Sequence, residues 1–275
     1  MDLDREYNAR ATTPEVESII AAYRARTDAA KAALRWSTQS YGPTEPERLD
    51  VYPAGEGAPV LVFIHGGYWR ALDSADAGSM APAFVAAGAC VVSVNYTLAP
   101  GASLDRIVDE CRRALAWVHG NIARFGGDPS RIHVAGSSAG GHLAGMLLAG
   151  GWQGALGLPE PAVAGATLLS GLFDLRPLPA THINAWMHLD EASAARNSPA
   201  LLRLPSGLPV VLAYGETETG EFKRQTEDFA RALREAGCET VLVPPRPRSN
   251  HFDIVFDLGE PGNALHEATR RAMGL

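Results

Sequence analysis

The sequence predicts an α/β protein built on one mostly parallel sheet of about eight strands, with helices on both faces. Two observations carry that expectation. Several short runs are apolar throughout, as strands covered on both faces are, and segments of helical spacing separate several of them. A third observation says where chemistry is expected: the run "RIHVAG" ends abruptly in the small residues "SSAGG", and these open a new apolar segment.

In chain order, residues 14–34 place Val16, Ile19, Ile20 and Tyr23 at helical spacing, with Thr13 as an N-cap. "LRWSTQSYG" and "ERLDVYP" read as two short antiparallel strands around a turn. Apolar runs follow at 59–64, 89–95, 131–136, 164–171, 209–215 and 239–243. Between the second and third of these, Leu104, Ile107, Val108, Cys111, Leu115, Val118, Ile122 and Phe125 mark a helix over 104–125, capped by Ser103 and stopped by Gly126. A second helix, 221–236, stops at Gly237. Residues 172–200 hold Trp186 and several prolines but no good strand. They read as an insertion or partial cap over the sheet's C-terminal edge, where open α/β sheets bind ligands. One domain over 1–275 is expected, with 1–34 and 172–200 as cap elements.

Composition excludes some functions. A net charge of −7 argues against a nucleic-acid partner. Cys90, Cys111 and Cys238 show no ligand spacing, and the first two fall inside apolar patterns, which fits a reducing compartment. "MDLDREYNAR" lacks the apolar core of a signal peptide, and no run approaches a membrane span. A cytoplasmic protein with no membrane partner is expected; nothing in the sequence sets an oligomeric state.

Gly136-Ser137-Ser138-Ala139-Gly140 is G-x-S-x-G, between a strand and a helix over 139–148. A nucleophile held on so sharp a turn needs neighbours without bulk two residues away. That spacing selects Ser138, with Ser137 as filler. A serine hydroxyl needs a base, and the base needs an orienting acid, in the chain order Ser, Asp/Glu, His. His251, in the loop after 239–243, stands where the base is expected. His266, in a terminal helix, reads as a surface histidine. After 209–215 the chain offers Glu216, Glu218 and Glu221. Glu221 would begin a helix and complement its dipole. Glu218, mid-loop, is preferred by position, with Glu216 the competitor. "HGGYW" at 65–69 follows a strand at once. Gly66 and Gly67 supply oxyanion N–H donors together with Ala139, while His65 holds the loop's shape. His182 and His188 have no third ligand nearby, so no metal is assigned.

"HGG", "NYTLAP", "DECRRALAWV" and "GGDPSRIHVAGSSAGGHLA" resemble the hormone-sensitive-lipase-like branch of the α/β hydrolases. "EYNAR", "HGGYW", "LSGLFDLRPL", "GETETGEFKRQ" and "NHFDIV" resemble kynurenine formamidase, also called arylformamidase, from about residue 7 to 256. The resemblance implies an α/β hydrolase fold, no metal and no organic cofactor. Aligned on "GEFKRQ", it puts the acid at Glu218, where the family often has aspartate. It implies cleavage of the formyl amide of an arylamine such as N-formylkynurenine by Ser138, His251 and Glu218. Tyr68, Trp69, Trp186 and Phe252 are candidate walls for the aromatic ring. No arginine stands out to hold a substrate carboxylate. A carboxylesterase on small aryl or acyl esters is the alternative, and a non-catalytic ligand-binding protein of the same fold is the reading from another class.

Overall fold

In the computed structural model, residues 2–275 are described; Met1, at the head of the expected N-terminal segment, lies outside the described residues. Eight strands form one sheet: β1 (Ser37–Ser40), β2 (Arg48–Tyr52), β3 (Ala58–Ile64), β4 (Cys90–Val94), β5 (Gly127–Ser137), β6 (Gly165–Leu169), β7 (Pro209–Ala213) and β8 (Glu239–Leu242). Their spatial order is β1-β2-β4-β3-β5-β6-β7-β8. The β1–β2 and β2–β4 pairs are antiparallel and every later pair is parallel. Every run expected to be a strand is one.

Ten α-helices surround the sheet among the described residues: α1 (Leu3–Glu6), α2 (Val16–Ala33), α3 (Ala81–Ala86), α4 (Leu104–Asn121), α5 (Ala139–Leu148), α6 (Asn184–Met187), α7 (Glu191–Arg196), α8 (Gly220–Glu235), α9 (Ile254–Leu258) and α10 (Ala264–Ala272). None is long and apolar enough to cross a membrane.

The strands divide their side chains by parity, because successive residues of a strand face opposite sides. Val60, Val62 and Ile64 of β3 join Cys90, Val92 and Val94 of β4 in one core, against α4, α5 and α8. Leu61 and Phe63 join Val91 in the other, against α2, α3, α9 and α10. Unbroken apolar runs are therefore needed in the middle of the sheet, and β3 and β4 are buried at every residue.

Three local expectations change. β8 is an edge strand with alternate exposure, and Val241 is half exposed, so "ETVLV" is not covered on both faces. Thr13 does not cap α2: Glu15 holds that position, and the buried Thr13 hydroxyl has no partner. The helix expected over 104–125 is α helical to Asn121 and tightens to 3₁₀ over Ile122–Phe125, with left-handed Gly126 ending it. Ser103 accepts from the Arg106 N–H as expected.

Candidate active site

β5 runs into α5 with no loop between them, and Ser138 is the corner. Its backbone, φ 57° and ψ −120°, lies where a side chain is strained. The strain is held in place: the Ser138 N–H donates to the Leu169 carbonyl at 2.8 Å, and its own carbonyl accepts from the His142 N–H at 3.0 Å. The flanking glycines are forced by close approach. A Cβ on Gly136 would stand 2.2 Å from the Gly140 carbonyl oxygen, and one on Gly140 would stand 2.0 Å from that of Ile64. Ser137 remains strand residue, in register with Leu169.

The loops after β7 and β8 bring Glu218 and His251 together, and both side chains are buried. His251 Nδ1 lies 2.8 Å from Glu218 Oε2, which places a proton on Nδ1 and leaves Nε2 free to accept. Glu218 Oε1 accepts from the Ser170 hydroxyl at 2.6 Å and from the Gly215 N–H. The carboxylate is thus fixed at both oxygens. Phe222 and Phe252 flank the imidazole, with ring centroids 4.4 and 5.2 Å away. Glu216, the competitor, turns elsewhere: its Oε2 accepts from the Arg248 N–H at 2.6 Å and so braces the loop that carries His251. Ser170 was not singled out from the sequence. Its only signal there is its place at the end of β6, inside "LSGLFDL".

The loop after β3 lies against the elbow. A Cβ on Gly66 would stand 3.3 Å from Ser138 Cβ, and Gly67 has φ +94°. Among the described residues the N–H groups of Gly66 and Gly67 donate to no protein acceptor, and the Ala139 N–H opens α5, where the first turn leaves donors unpaired. His65 holds this loop as expected. Its ring stacks on Tyr96 at 4.2 Å, its Nδ1 meets the Gly66 carbonyl at 2.9 Å, and burial pushes its pKa down.

Trp69 corrects an expectation. It is fully buried behind the loop and does not line the cavity. Its indole N–H donates to His142 Nδ1 at 3.2 Å, while His142 Nε2 meets the Asn197 carbonyl at 2.7 Å. His142 is thereby a neutral link between the loop after β3, α5 and the 172–200 segment, its pKa pushed down to about 4 by burial. His266 also departs from expectation. It is buried, and its Nδ1 meets the Leu258 carbonyl at 2.8 Å, pinning α10 to α9.

Ser138 and His251 open on one cavity of about 230 Å³, ample for a substituted single ring. Tyr68, Trp186 and Phe252 line it, and Ile20 and Tyr23 of α2 add a wall that the sequence did not reveal. Both expected cap segments reach it. Tyr23 donates to the Phe252 carbonyl, and Trp186 Nε1 donates to the Tyr68 carbonyl at 3.2 Å.

Behind the cavity, "EYNAR", "SGLFDL" and "EFKRQ" meet in one network. The Tyr7 hydroxyl donates to Glu221 Oε2 at 2.6 Å and accepts from Gln225 Nε2 at 2.8 Å. Gln225 Oε1 accepts from the N–H groups of Phe173 and Asp174, and the Tyr68 hydroxyl donates to the Tyr7 carbonyl. Glu221 does sit in the first turn of α8, but it also serves this network, and the Arg224 guanidinium holds its carboxyl below the usual range. Among the described residues no group of histidines, cysteines and carboxylates could hold a metal ion.

Comparison with known proteins agrees with this architecture. The BD-FAE family profile matches residues 49–154, which include the loop after β3 and the corner at Ser138. A kynurenine formamidase of Salmo salar is 33% identical over 85% of this chain and 80% of its own length. One from Danio rerio is 30% identical over 99% of this chain and 96% of its own. Esterase LipQ of Mycobacterium tuberculosis is 30% identical over 81% of this chain and 58% of its own. Among solved structures, one from Silicibacter, provisionally described as a thioesterase, superposes with a TM-score of 0.84 at 26% identity over 98% of both chains.

Proposed function

The chain belongs to the kynurenine formamidase family, and from that premise we propose that it is a serine hydrolase that removes the formyl group from an arylamine such as N-formylkynurenine. Ser138 is the nucleophile, His251 the base and Glu218 the orienting acid. The observation that carries this reading is the buried 2.8 Å His251–Glu218 pair opening on the same cavity as a strained elbow serine.

The chemistry runs as follows. The ring of the substrate lies between Tyr68, Trp186 and Phe252. Ser138 Oγ attacks the formyl carbon as His251 Nε2 takes its proton. The N–H groups of Gly66, Gly67 and Ala139 receive the charge that develops on the formyl oxygen. The tetrahedral adduct collapses, the C–N bond breaks, and His251 returns the proton to the departing aniline nitrogen. Water, deprotonated by His251, attacks the formyl ester and releases formate. Glu218 keeps the proton on Nδ1 and stabilises the imidazolium. An aniline leaves more readily than an alkylamine, so the machinery of an esterase suffices for this amide.

The esterase relatives support a second reading, a carboxylesterase for small aryl esters using the same triad. The two differ in specificity, which is a ratio of kcat/KM values. The formamidase reading predicts that kcat/KM for N-formylkynurenine exceeds that for p-nitrophenyl acetate. The reverse order, with slow formamide cleavage, would establish the esterase.

A further inference from the structure

We propose that Arg70 is a specificity-determining residue of this site, its guanidinium receiving a carboxylate carried by the aryl leaving group. The proposal rests on the formamidase reading for its substrate and deepens it: the preferred class is an aryl formamide whose side chain bears a carboxylate.

Two arginines line the cavity that holds Ser138 and His251, Arg10 and Arg70. Arg10 is already neutralised by Glu17. Arg70 has no carboxylate within ion-pair distance among the described residues. The cavity's own carboxylate, Asp76, is held by Arg24 Nε at 2.8 Å and accepts the Asp73 N–H at 3.1 Å, so it does not cancel Arg70. Among the described residues, Arg70 therefore stands without a carboxylate partner at the rim of a cavity that Tyr23, Tyr68, Trp186 and Phe252 help to line.

Its position is fixed at both ends. The Arg70 backbone N–H donates to the Gly67 carbonyl at 3.0 Å, so the residue belongs to the loop of the oxyanion donors. Its guanidinium lies 3.9 Å from the Trp186 ring centroid, and that indole is itself tied to the Tyr68 carbonyl at 3.2 Å. Stacking occupies a face of the guanidinium and leaves its edge N–H groups for a bidentate acceptor. A carboxylate held there is registered against Gly66, Gly67 and Ser138 through a few residues of one loop. N-formylkynurenine carries a carboxylate on the side chain of the same ring that carries the formamide, so one molecule presents both groups. The site is open to water, which sets the effect at the low end for a charged hydrogen bond.

The test compares substrate pairs with and without a side-chain carboxylate, the ester pair differing in no other charge. N-formylkynurenine is set against 2-formamidoacetophenone, and an aryl acetate with a ring propionate against the same acetate without it. In wild type the carboxylate-bearing member of each cleaved pair has the higher kcat/KM. Arg70→Gln lowers the ratio of carboxylate-bearing to carboxylate-free substrate up to about tenfold, chiefly through KM, and Arg70→Lys restores part of it. A ratio unchanged in Arg70→Gln, or a wild type without preference for the carboxylate, overturns the proposal. Failure of the formamidase reading looks different: both formamides are left intact and the esters are cleaved. The ester pair then decides Arg70 by the same ratio.

Discussion

Replacing Glu218 by Gln tests the acid of the triad, and the geometry sets the expected magnitude. Glu218 Oε1 faces two donors, the Ser170 hydroxyl and the Gly215 N–H, and Oε2 faces His251 Nδ1. A glutamine keeps its oxygen toward the two donors and so turns its NH₂ toward Nδ1. Nδ1 must then accept, and the imidazole proton moves to Nε2. In that tautomer Nε2 cannot take a proton from Ser138, and the imidazolium loses its counter-charge. An amide in place of a triad carboxylate lowers kcat by about 10⁴ in a serine protease, equivalent to about 5 kcal/mol of barrier. Glu218→Gln should therefore reduce kcat on N-formylkynurenine by about 10³–10⁴, with thermal unfolding recorded alongside to show a folded protein. Glu216→Gln should fall far less, because that side chain braces Arg248 and does not touch His251. More than a tenth of wild-type kcat left in folded Glu218→Gln, or an equal loss in Glu216→Gln, would refute the reasoning.

Ser138→Ala should lose nearly all hydrolysis while Ser137→Ala keeps a substantial part, measured on formamide and ester alike; the opposite pattern would shift the elbow register by one. Trp69→Ala should lower unfolding stability by about 3–5 kcal/mol in urea titration, because loss of a fully buried indole leaves a cavity and an unpaired His142 Nδ1. His133 and His142 are pushed down by burial to about 3 and about 4, from an unperturbed 6.5. Below pH 6.5 the unfolded chain binds protons that the folded chain refuses, so stability falls on acidification and the loss levels off near the folded values. Between pH 7.5 and pH 5 the loss is about 2 kcal/mol per histidine, and His142→Gln should remove its share of that slope.

The sheet was legible because β3 and β4 are buried on both faces, and burial of that kind keeps the runs apolar; the one polar residue in them, Ser93, is accommodated because its hydroxyl donates to the Ala77 carbonyl at 2.7 Å. β8 differs, because its apolar residues lie at an edge, and composition does not tell a central strand from the last one. Ser138 was legible because steric crowding at Gly136 and Gly140 writes itself into adjacent residues. Ser170 and Tyr7 were not. Each acts through a partner far along the chain, Ser170 through Glu218 and Tyr7 through Glu221 and Gln225, and no local pattern records such a pairing. Trp69 follows Tyr68 directly, yet one ring lines the cavity and the other is core. Consecutive residues of a tight loop diverge in direction, and residue type alone does not say which one faces the substrate. Arg70 escaped notice for a related reason: its environment is the Trp186 ring, which lies far along the chain in the cap segment.

The central claim is that Ser138 carries out formamide hydrolysis in this cavity. Titration with a fluorophosphonate, following kynurenine release from N-formylkynurenine and mapping the label by peptide mass spectrometry, tests it most directly. Hydrolysis should disappear in proportion to labelling, with the label on the peptide containing Ser138 and neither label nor activity in Ser138→Ala. Full labelling of Ser138 with formamide hydrolysis intact, or hydrolysis surviving in Ser138→Ala, would contradict it.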